Sequence, residues 1–191
     1  MSDLPNILPK NTALLLIDLI SDFEFEDGEK LFERTLPAAR RIARLKERAS
    51  AAHLPVIYVN DNFGKWQEDF KAMADRILEG DSRGKKVAEL LRPSPTDYYV
   101  LKPHRSAFYS TALEPLLRNL NVQNLILTGV TADICIMFTA NDAYMRDLDL
   151  HIPSDCVAAV KTEFHDQAMV FIERVLKADT RPSTELEFDL N

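Results

Sequence analysis

A chain of 191 residues with 23 Lys+Arg against 30 Asp+Glu, and so a formal net charge of −7, reads as one domain long enough to bury roughly 70% of its unfolded surface. That acidic balance repels phosphate backbones and anionic bilayers, which argues against nucleic-acid and membrane partners. Cys135 and Cys156 are too few for a disulfide framework, no aliphatic run is long enough to cross a bilayer, and the opening MSDLPNILPKN lacks the basic and apolar regions of a secretory signal, so a cytoplasmic setting is expected.

In chain order, Ala13 to Ile17 is a short continuous apolar run, the pattern of a strand buried on both faces, and it ends at Asp18. Thr35 is expected to cap a helix with Pro37 in its first turn and Ile42, Leu45 and Ala49 on one side. Pro55 introduces a second buried strand, Val56 to Asn60. Residues 61–86 read as a loop and a helical excursion over one sheet edge, and a helix around Val87 to Leu91 stops before Pro93 and Pro95. Tyr98 to Leu101 is a third strand, ending at Lys102. Thr111 and Glu114 spell a capping box for a helix to Leu120, with Pro115 early enough to be tolerated.

Leu125 to Leu127 is the fourth strand. It is expected to break at Thr128-Gly129 and give way to a helix that carries Cys135 in its first turn and continues to about Asp147. Leu148 to Ile152 follows as a fifth strand. Thr162 is expected to cap a last amphipathic helix to Lys177, and Glu185 to Phe188 is a candidate edge strand. Strands alternating with helices require right-handed crossovers. The expected fold is therefore α/β, a three-layer α/β/α sandwich with a mostly parallel central sheet, in a single domain over residues 1–191.

Open parallel sheets bind ligands outside the carboxyl ends of their strands. This reading brings Asp18, Lys102 and Cys135 to one such edge. Singly, each has a plainer role: Asp18 as a turn cap, Lys102 as a solvated loop cation, Cys135 as a small buried hydrophobe. Together they point to nucleophilic chemistry, because a helix start and a nearby cation favour the thiolate and a carboxylate can carry protons. Cys156 has no such company and reads as a packed thiol.

IDLISDF (17–23), LKPHRSAF (101–108) and LTGVTADICIMFTANDA (127–143) together resemble the isochorismatase-like cysteine hydrolases, in the correct order over nearly the whole chain. The resemblance implies an Asp18, Lys102, Cys135 triad, a cis peptide at Val130-Thr131, and an oxyanion hole from the backbone N–H groups of Thr131 and Cys135. It also implies a homodimer or homotetramer.

Nicotinamidases of that family carry an Asp-x-His metal motif where this chain reads Asn60-Asp61-Asn62-Phe63-Gly64, so no metal and no cofactor are expected. Ile20 likewise replaces a common Gln. Vinyl-ether hydrolysis of the isochorismate type needs no sulfur nucleophile, and the presence of Cys135 favours amide cleavage. The expected activity is hydrolysis of a C–N bond in a small amide, ureido or carbamoyl compound; the alternatives are the vinyl-ether reaction and a non-catalytic flavodoxin-like binding domain. Phe23, Phe63, Trp66, Phe108 and Tyr109 are candidate substrate-pocket walls or, equally, core and oligomer contacts. His104 and Arg105 are either orienting groups for an anionic substrate or an exposed loop pair.

Overall fold

The computed structural model describes residues 7–62 and 64–189. Its central sheet comprises β2 (Thr12–Ile17), β3 (Val56–Asp61), β4 (Tyr98–Lys102), β5 (Asn124–Val130) and β6 (Asp149–His151) in the order β4-β3-β2-β5-β6, with β7 (Val157–Ala158) also paired to β5. Every pairing is parallel. The strand residues explain why: in β2, Leu14 and Leu16 enter one hydrophobic cluster while Ala13, Leu15 and Ile17 enter the other. A strand apolar on both sides is stable only between two helical layers.

Helices α1 (Gly28–Ala51), α2 (Phe70–Glu79) and α3 (Lys85–Leu90) cover the first face. The second is covered by α4 (Leu113–Asn119), α5 (Met137–Tyr144) and α6 (Thr162–Leu176). The expected three-layer α/β/α architecture is therefore present. A separate two-stranded parallel sheet joins β1 (Ile7–Leu8) to β8 (Glu187–Phe188), which confines the expected 185–188 strand to its last two residues. Among the described residues no helix is long and apolar enough to cross a membrane.

Several local expectations are corrected. Thr35 caps nothing: α1 starts seven residues earlier, and the buried Thr35 hydroxyl donates to Leu31 O at 2.7 Å within the helix. Pro37 is inside α1 on an exposed position, so the carbonyl left without its usual donor faces water. Thr111 does accept from Leu113 N at 3.2 Å, but Glu114 pairs with Arg118 and Arg146 instead of closing a capping box. Thr162 is the first residue of α6, and its hydroxyl accepts from Arg34.

The fourth strand does not break at Thr128-Gly129. It runs to Val130, and Thr128 Oγ1 donates to Leu15 O across the sheet at 2.8 Å. The helix after it ends at Tyr144, short of Asp147, and the fifth strand is Asp149–His151. Chain connections diverge between β2, which continues to β3, and its other neighbour β5, which continues to β6. That divergence lies at their carboxyl ends, the position where open α/β sheets bind ligands.

Candidate active site

Asp18 is the first residue past β2, in the left-handed region at φ 54°. Its N–H donates to Val59 O at 2.8 Å, which ties the turn to β3. Its side chain is held at both oxygens: Oδ1 accepts from Asp61 N at 2.8 Å, and Oδ2 pairs with Lys102 Nζ at 2.9 Å. Lys102 closes β4 with its side chain 0% exposed, the opposite of a solvated loop cation. An ammonium in that position requires anions and acceptors around it. It finds Asp18, Asp61 Oδ2 at 3.5 Å and the carbonyl of His104 at 3.1 Å.

Cys135 arrives from the far side. Its sulfur lies 3.6 Å from Lys102 Nζ, with the Asp18 carboxylate as its other charged neighbour. It sits on a π-helical turn, Ala132–Ile136, in which the N–H groups of Ile134 and Ile136 both donate to Thr131 O at 3.1 Å. Such turns are rare and concentrate at functional sites. The expected first turn of an α-helix is thus a wider turn, and the Val130–Thr131 peptide before it is cis. Gly129 just upstream has φ 120°, and a Cβ there would come within 2.0 Å of Ile17 O. Only glycine lets β2 and β5 approach closely enough to set Asp18 beside Cys135.

The electrostatics of the trio follow from its burial. Burial raises the Asp18 carboxyl above the usual range, while Lys102, Cys135 and the Asp61 N–H pull it back. Burial alone would lower Lys102, but Asp18, Cys135 and Asp61 outweigh it and hold the ammonium charged above its ordinary range. Burial and then Asp18 push the Cys135 thiol up to about 12, with Lys102 pulling the other way. Burial and Asp18 thus oppose the thiolate that the helix start and Lys102 are expected to favour, while the ammonium is held charged beside them. The physical reason is that a carboxylate beside the sulfur disfavours negative charge there while the cation favours it.

The aromatic candidates separate. Phe23 is 1% exposed and packs against Phe25 and Phe32 in the core. Phe108 is buried as well, under the Arg146 guanidinium at 4.7 Å. Both rings are packed mainly in the core, Phe23 on one face of the sheet and Phe108 on the other. Phe63 lies outside the described residues. Trp66, 75% exposed, stands on the loop after β3, and Tyr109 is exposed with its ring edge-on to His104. His104 and Arg105 are exposed, and Cys156 is buried as expected.

Asp61 is the residue the sequence reading passed over as part of a missing metal motif. The available signal was the one used for Asp18, a carboxylate closing a buried apolar run. Among the described residues no three His, Cys, Asp or Glu side chains are grouped to hold a metal ion.

Fold and site define an α/β enzyme with a thiol, a carboxylate and a buried ammonium gathered at the carboxyl edge of a parallel sheet. The isochorismatase domain model matches residues 12–180, and the chain belongs to that family of hydrolases. It is 42% identical over 167 residues to the uncharacterized isochorismatase family protein YaaI of Bacillus subtilis, covering 87% of this chain and 91% of that one. It is 30% identical over 169 residues to enterobactin synthase component B of Escherichia coli, covering 86% of this chain but spanning 58% of that protein's length. Among solved structures, N-carbamoylsarcosine amidase from Thermoplasma acidophilum is similar with a TM-score of 0.68 at 27% identity, covering 90% of this chain and 96% of that one.

Proposed function

We propose that this protein cleaves the C–N bond of a small amide, ureido or carbamoyl compound, with Cys135 as nucleophile. The observation that carries the reading is the single buried ammonium of Lys102 that contacts both the Cys135 sulfur, at 3.6 Å, and the Asp18 carboxylate, at 2.9 Å. Because burial pushes the thiol up, attack requires a base beside it, and Asp18 is that base. As sulfur bonds to the carbonyl carbon, the thiol proton passes to Asp18 and the carbonyl electron pair becomes an oxyanion. The backbone N–H groups of Thr131 and Cys135 are the proposed donors to that oxygen.

Asp18 then returns the proton to the leaving nitrogen, the C–N bond breaks, and the amine departs from a thioester-type intermediate. Water attacks that intermediate, giving its proton to Asp18, and the acid or carbamic acid leaves as the thiol is restored. Lys102 stabilises sulfur while it carries negative charge and keeps Asp18 ionised. The similarity to N-carbamoylsarcosine amidase from Thermoplasma acidophilum supports a carbamoyl or amide substrate. Trp66 and Tyr109 are the proposed aromatic borders of the substrate site. A homodimer or homotetramer belongs to the same reading, supported by the exposed Phe138, Tyr144 and Met145 around α5.

The test is intact-mass analysis of the protein quenched during incubation with a library of small amides and carbamoyl compounds. An acyl or carbamoyl adduct on Cys135 is expected for the substrate. Turnover without any Cys135 adduct, and undiminished in Cys135→Ala, overturns the reading.

A further inference from the structure

The second and third sequence motifs meet at contacts that the chemistry above leaves unused. Residues 103–112 form the loop from β4 to α4, and the loop is tied down at two ends. At its start, His104 O accepts from Lys102 Nζ at 3.1 Å. Further along, the Ser106 hydroxyl donates to Asp142, and Ala107 N–H donates to Thr139 Oγ1 at 3.0 Å. Thr139 and Ala107 are both fully buried. Asp142 is itself held by Arg146, whose guanidinium lies 4.7 Å over the Phe108 ring. Thr139 and Asp142 lie three residues apart on α5, four and seven residues past the nucleophile on the π-helical turn that leads into that helix.

The loop therefore connects the ammonium to the helix that follows the thiol. An ammonium has three donors, and Lys102 divides them among Asp18, Asp61, His104 O and the Cys135 sulfur. If the loop drifts and His104 O is lost, two carboxylates draw Nζ away from sulfur.

We propose that Thr139 and Asp142 are positioning residues that, by holding Ala107 and Ser106, fix His104 O and so set the Lys102 ammonium at its working distance from Cys135. The proposal rests on Cys135 being the nucleophile. It gives a role to a buried threonine and an aspartate whose side chains bond the loop after β4.

The experiment is stopped-flow acylation by p-nitrophenyl acetate, with Cys135→Ala as the blank. The limiting rate constant, the apparent dissociation constant and the burst amplitude are read separately. Thr139→Val and Asp142→Ala are each expected to lower the limiting rate about 10- to 100-fold, the scale of a displacement near 1 Å. The apparent dissociation constant should hold within about twofold, since ground-state binding is unaffected. Thr139→Ser and Asp142→Asn, which keep the acceptor oxygen, should restore most of the rate.

A merely structural role would instead reduce burst amplitude, the folded fraction, at an unchanged rate. That pattern, wild-type rates in both disruptive variants, or failure of Thr139→Ser and Asp142→Asn to restore the rate overturns the proposal. A wild-type protein with no burst above the Cys135→Ala blank removes the nucleophile reading, and the positioning role falls with it.

Discussion

The two cysteines of this chain occupy neighbourhoods that are alike in composition and opposite in consequence. Burial, with an adjacent aspartate, pushes both thiols up to about 12: Asp18 beside Cys135 and Asp155 beside Cys156. Each also has a cation nearby, Lys102 in one case and Arg41 in the other. What separates them is access and rigidity. Cys156 is 0% exposed on the 3₁₀ turn Ser154–Cys156, its Asp155 carboxylate is engaged by Ser183, and Arg41 is half in solvent. Cys135 is partly open at a sheet edge, and its cation is locked between carboxylates. Thiol acidity at rest thus does not mark a nucleophile; an adjacent base, a fixed cation and partial exposure of the sulfur do.

The largest expected effect breaks the comparison directly. Cys135→Ala should lower hydrolysis of the adduct-forming substrate by about 10⁴-fold or more, as loss of a covalent nucleophile does. Cys156→Ala should leave the rate unchanged and lower stability in denaturant titration by about 1 kcal/mol. Equal losses in the two variants would erase the distinction.

Asp18→Asn tests the base. In the wild type, acylation of Cys135 should be flat with pH above the raised Asp18 pKa and fall as pH drops through it, because a protonated carboxyl accepts no proton. In Asp18→Asn the reaction depends on the thiolate fraction, so the rate should be about 10³-fold lower at pH 7. It should climb about tenfold per pH unit, as for any thiol below its pKa. A flat profile in the variant would remove Asp18 from proton transfer.

Sealed and open neighbourhoods also divide the aromatic residues. Phe23→Ala should destabilise the fold by about 3–5 kcal/mol, the range for a phenylalanine lost from a packed core. The smallest expected change is Trp66→Ala, within about 0.5 kcal/mol in stability, while raising KM for substrate with kcat held. A stability loss at Trp66, or a KM effect without one at Phe23, would reverse their assignments.

Local pattern was enough to find most elements and the three site positions. Continuous apolar runs marked β2, β3 and β5, and each run ended in or near a polar residue of the site. Helix starts were less legible. Thr35 with Pro37 has the chemistry of a first turn, yet both sit inside α1, because packing of Leu31 under the sheet extends the helix toward its N-terminus. The turn at Cys135 was misjudged for a similar reason: Gly129 looks like a breaker, but it serves a close approach of two strands.

The sequence by itself determined which segments are buried on two faces, hence a parallel three-layer fold, and which reactive residues close them. Those properties depend on periodicity and side-chain chemistry within a few residues. Tertiary structure alone decided that β3 lies between β2 and β4, so that Lys102 reaches Asp18 across the end of the strand bearing Asp61. It also decided which aromatic rings are sealed, and that burial opposes the thiolate. These depend on strand order and on burial by distant segments, and both are set by long-range packing that no local window of sequence contains.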